Sequence, residues 1–147
     1  ARRAVVARAT LNERRDRMEP AITSFDPGAE FWTDERCWIL ESRNVADDPA
    51  CSIARARVAP GVTTARHRVS VDERYVILEG RGRVDVDGLA GTDPEGTEVG
   101  PGDVVVIPAG VSQRIANVGT EDLVFLCVCT PRFTPDCYEA LPDRELL

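Results

Sequence analysis

The chain has a single histidine, His67, in the stretch GVTTARHRVSVDERYVILEGRG over 61–82, with a carboxylate, Glu73, six positions on and a phenol, Tyr75, two beyond that. An imidazole near a carboxylate supports two chemistries: it can share a divalent cation with oxygen donors, or it can move a proton as a base that the carboxylate orients. Each has a plain structural counterpart. His67 can be a core histidine satisfied by hydrogen bonds, and Glu73 a surface carboxylate paired with Arg68 or Arg74.

Other reactive groups are sparse. All 18 basic residues are arginine, so a Schiff-base mechanism on lysine is excluded. The five cysteines, Cys37, Cys51, Cys127, Cys129 and Cys137, are odd in number and form no CxxC pair, which points to reduced thiols over a disulfide framework. Cys127 and Cys129 lie two apart in an apolar run and share a strand face as small core residues. In CSIARARVA over 51–59, Ala54, Ala56 and Val58 alternate with Arg55 and Arg57, the period of a half-buried strand. One reading turns both arginines to solvent, as alternation normally does. The other turns one or both into a cavity, where a guanidinium grips an anionic substrate.

The elements that must position these residues are short strands. FWTDERCWILE over 31–41 reads as a strand or hairpin, and further strands are expected over 51–59, 73–78, 82–86, 103–108, 112–115 and 123–129, divided by turns rich in Gly, Pro or Asn. Many short strands with almost no helical period predict an antiparallel all-β sandwich or barrel. A capped helix is expected over 10–18 in a mobile or peripheral segment 1–19, a broad loop over 87–102, and a short helix near 136–141 in the tail 131–147.

A length of 147 residues predicts one domain, with its barrel core at about 30–130. The net charge of −7 argues against a nucleic-acid partner, since phosphate binding needs clustered positive charge. No apolar run approaches the roughly 20 residues that span a bilayer, so no membrane partner is expected. The first residues lack the apolar core of a secretory signal, and a cytoplasmic location is the expectation.

Two motifs carry a family resemblance. Gly61, His67, Val69, Glu73 and Gly80 keep the spacing of G-x5-H-x-H-x3-E-x6-G, with valine in the second histidine position. Gly102, Pro108, Gly110, Gln113 and Asn117 keep that of G-x5-P-x-G-x2-H-x3-N, with glutamine in the histidine position. The chain thus resembles the cupin family over roughly 50–130. The resemblance implies a double-stranded β-helix, or jelly-roll barrel, open to small molecules and usually built as a homodimer. Alternation then turns Val69, Tyr75 and Ile77 into the same cavity as His67 and Glu73.

In cupins with all four ligands these motifs bind a divalent metal. The resemblance implies His67, Glu73 and Gln113 as the remaining metal ligands, for manganese, iron, nickel or zinc. One imidazole and two oxygens form a hard donor set that suits manganese or magnesium and holds a metal loosely. Three functional readings follow. The first is a metal-assisted isomerase, lyase or dioxygenase acting on a small carbonyl, sugar or organic acid, with Tyr75 or a tail residue moving a proton. The second is a metal-free epimerase or isomerase with His67 as base and Tyr75 or Tyr138 as acid, in which Arg55, Arg57 and Arg66 could cluster around a nucleotide. The third is a non-catalytic ligand-binding module.

Overall fold

The structure, a computed structural model, describes residues 18–89 and 96–143. The helix expected over 10–18 lies outside the described residues except for Met18, as do residues 90–95 of the expected loop. Apart from two 3-10 turns, the regular elements of the described chain are all strands. In order these are β1 (Phe31–Trp32), β2 (Trp38–Arg43), β3 (Ser52–Val58), β4 (His67–Val69), β5 (Asp72–Glu79), β6 (Gly82–Val86), β7 (Thr97–Val99), β8 (Val104–Ile107), β9 (Gln113–Asn117), β10 (Leu123–Thr130) and β11 (Tyr138–Ala140). No helix among the described residues is long and apolar enough to cross a membrane.

Two antiparallel sheets form the barrel, one in the order β1-β2-β3-β10-β5-β8 and the other β11-β4-β9-β6-β7. This is the all-β jelly-roll architecture expected from the strand pattern. Period-two alternation builds the core between the sheets. Ala56 and Val58 of β3, Ile77 of β5, Val84 of β6, Ile115 of β9 and Leu123 and Phe125 of β10 meet in one cluster, each at most 3% exposed. Enclosing a side chain such as Ile115 stabilises the fold by about 1.5–3 kcal/mol.

Motif glycines serve the turns between these strands. Gly80 has φ +83°, and a Cβ there would stand 2.7 Å from the Asp122 carbonyl oxygen, so the β5–β6 turn needs glycine for both conformation and space. Asn117 is also structural, because its amide nitrogen donates to the Val58 and Glu121 carbonyls at 2.9 and 2.8 Å.

The tail departs from the expected helix. Pro135–Cys137 makes a single 3-10 turn, and Tyr138–Ala140 then pairs as β11 with β4, Tyr138 opposite Val69 and Ala140 opposite His67. The open edge of β4 offers backbone partners that a three-residue segment cannot supply to itself as a helix. This pairing brings the tail to the histidine.

Candidate functional site

His67 begins β4 and is 4% exposed, opposite Gln113 of β9 on one side and Ala140 of β11 on the other. Its Nδ1 lies 3.0 Å from the Ala65 carbonyl oxygen, which can only accept, so Nδ1 carries the hydrogen and donates it. In the neutral ring Nε2 is then the bare nitrogen, and it faces Glu35 Oε1 at 3.9 Å. The Tyr138 ring stacks on the imidazole at 5.1 Å between centroids and 22° between planes. Burial pushes the Tyr138 hydroxyl up to about 12, so it remains a proton donor across the neutral range.

Glu73 enters from β5 and is 6% exposed. Cys129 Sγ donates to its Oε2 at 3.4 Å, while no hydrogen bond of good geometry reaches its Oε1. Burial raises the Glu73 carboxyl, and the His67 charge and the neighbouring Gln113 amide offset part of that rise. The alternative surface role is filled elsewhere: Arg68 pairs with Glu139 at 2.7 Å, and Arg74 donates to Thr130 Oγ1 at 3.2 Å.

Tyr75 is committed to structure. Its buried hydroxyl donates to Gln113 Oε1, so the phenol expected to move protons fixes the amide instead. Tyr75→Phe should leave that buried acceptor without its donor and lower unfolding stability by about 1 kcal/mol. Chemical denaturation of the two proteins at neutral pH measures the difference.

Glu35 was not among the residues singled out in the sequence. It sits in the tight turn between β1 and β2, closed by Thr33 N–H donating to the Cys37 carbonyl at 3.0 Å. Arg36 takes φ +68° there, and its Nε donates to the Thr63 carbonyl at 2.8 Å. Ala65 N–H also donates to the Glu35 carbonyl at 3.0 Å. These contacts dock the turn on the segment leading to His67 and aim the Glu35 carboxyl at the ring. Burial raises that carboxyl, against the pull of the imidazole and of Tyr138.

A cavity of about 160 Å³ runs along these groups, lined by Glu35, His67, Val69, Glu73 and Tyr75, with aromatic and thiol walls from Phe125, Cys37, Cys127 and Cys129. Burial pushes the Cys37 thiol up to about 11 and raises Cys127 and Cys129 as well, so all three are neutral wall groups near neutral pH. Val69 lines the cavity, whereas Ile77 is packed in the core beside it.

Arg55 and Arg57 do not line the cavity. Ala54 and Ala56 do, and alternation turns the arginines outward, where Glu30 holds Arg55 at 3.2 Å and also clamps Arg57. Arg66, just before β4, pairs with Asp87, just after β6, at 3.3 Å, so the three guanidiniums form no common anion site.

The matching family model, the Cupin domain, covers residues 54–129. The chain belongs to the cupin family. An uncharacterized protein of Methanocaldococcus jannaschii, MJ1618, is 35% identical over 91 residues, spanning 61% of this chain and 68% of that protein. Among solved structures, the Streptomyces nucleoside dehydratase Pac13 superposes with a TM-score of 0.66 at 12% identity, over 86% of this chain and 96% of its own. KdgF from Halomonas sp. gives 0.59 at 17% identity, over 74% and 94%.

The residues of this cupin do not assemble the metal set that its family commonly uses. Valine fills one ligand position, and the Gln113 oxygen already accepts the Tyr75 proton. Among the described residues no three His, Cys, Asp or Glu side chains are grouped to share an ion. The site is instead an imidazole flanked by carboxyls and a phenol.

Proposed function

We propose that this cupin is a metal-independent acid/base enzyme that shifts protons on a small molecule, as an isomerase, epimerase or lyase. The observation that carries the reading is the orientation of His67: the Ala65 carbonyl holds Nδ1–H, and bare Nε2 is directed to the cavity side beside Glu35. That is the arrangement of a general base whose tautomer is fixed by its second nitrogen. Nε2 takes a proton from a carbon next to a carbonyl or imine, and the pair from the broken C–H bond moves toward the heteroatom. Tyr138 supplies a proton to that atom. Return of a proton to another carbon completes an isomerisation, and loss of a leaving group completes an elimination. The nucleoside dehydratase on a similar fold favours the elimination branch as one to assay.

The direct test is deuterium exchange. Small ketones and aminoketones are incubated with the protein in D₂O, and loss of the α-proton signal is followed by NMR. Exchange above the buffer rate is expected for at least one member of the set. A protein that accelerates none of them overturns the reading.

A further inference from the structure

The charge of the cavity wall remains unexplained by proton transfer alone, which needs one base and one acid. Among the described residues three carboxyls, Glu35, Glu41 and Glu73, line the cavity against one imidazole and no arginine. Of the described arginines that the sequence offered to the cavity, Arg55 and Arg57 stand on the outer face against Glu30. Glu73 is 94% buried, and no hydrogen bond of good geometry reaches its Oε1, although the Gln113 amide stands beside the carboxyl. A buried acceptor left this way costs about 1–3 kcal/mol unless a donor arrives. The rest of the wall includes the rings of Phe31, Phe125 and Phe133, whose faces attract cations.

We propose that the cavity takes a small organic cation, an ammonium group on a compact apolar body, with Glu73 and Glu35 receiving the charge and the phenylalanines covering the body. This inference rests on the same site as the proposed acid/base reaction and names its substrate class. Carboxylate or phosphate substrates are disfavoured, because they would bring negative charge to three carboxyls with no arginine among the described lining residues to meet them. The cavity volume of about 160 Å³ matches a ligand of roughly benzene size, since a cavity of about 150 Å³ accommodates benzene.

The test uses cyclopentylamine, benzylamine and their neutral and anionic counterparts, benzyl alcohol and benzoate, titrated calorimetrically at neutral pH and fixed ionic strength. At least one amine is expected to bind ten times or more tighter than benzyl alcohol, with benzoate not binding. In Glu35→Gln that amine should lose tenfold or more while benzyl alcohol keeps its affinity. Glu73→Gln, which removes the buried charge without changing shape, should reduce the same preference. Equal binding of amine and alcohol, tighter binding of benzoate, or no amine binding overturns the proposal. These outcomes do not bear on deuterium exchange: exchange on neutral ketones without amine preference sinks this inference alone. Amine preference without exchange sinks the acid/base reading alone.

Discussion

His67→Gln is expected to lower the deuterium-exchange rate by about 10²–10⁴-fold, the usual contribution of a positioned general base. Glutamine is a demanding control because it fills similar space, and its amide can still donate toward the Ala65 carbonyl that now accepts from Nδ1. What it cannot supply is a basic nitrogen where Nε2 stands. The loss should therefore fall on turnover, with affinity for a bound amine changed only a few-fold, because the charge-bearing Glu35 and Glu73 are untouched. Since His67 is the chain's only histidine, its ring is also visible without assignment ambiguity. Nitrogen NMR of the wild-type protein should find the neutral ring protonated at Nδ1. A ring protonated at Nε2, or a variant that exchanges as fast as wild type, contradicts the assigned base.

The barrel was legible because strand alternation and the motif glycines are local signals. Both stretches, 61–82 and 102–117, fall where the strands, their turns and His67 and Glu73 are found. The structural commitment of Tyr75 was not legible. Alternation turned it inward, but the Gln113 amide it bonds lies on the facing sheet, 38 residues away. Glu35 was hidden for a related reason. Its turn looks like any polar hairpin in sequence, and only the docking of Arg36 on Thr63 reveals its aim. Tyr138 was named as a possible acid, yet its route to the ring ran through a β11 strand read as helix. Arg55 and Arg57 show the converse: alternation allowed either side, and Glu30, more than 20 residues earlier, holds them outside.

Glu73→Gln should raise stability at neutral pH, because the amide keeps the shape of the side chain without the buried negative charge. The gain should depend on pH in a definite sense. Burial raises the Glu73 carboxyl in the folded chain, so between its unfolded and folded titrations the native state holds a proton that the unfolded state has released. The stability from this group is thus fully present below the ordinary glutamate range and is lost as pH rises through the folded value. Glutamine has no proton to lose, so the advantage of the variant should be small in acid and grow toward neutral pH. Surface carboxyls act oppositely: Glu30 and Asp143, held low by hydrogen bonds from Arg57 and Arg66, stabilise above the ordinary range and lose that contribution in acid. Because both proteins share those groups, the difference between their denaturation curves across pH isolates residue 73. A flat difference would mean that folding leaves the Glu73 carboxyl unshifted, and one that shrinks as pH rises would mean that Glu73 is stabilised as an anion in the native state. A gain that grows with pH would be stability given up for the ligand role proposed for Glu73.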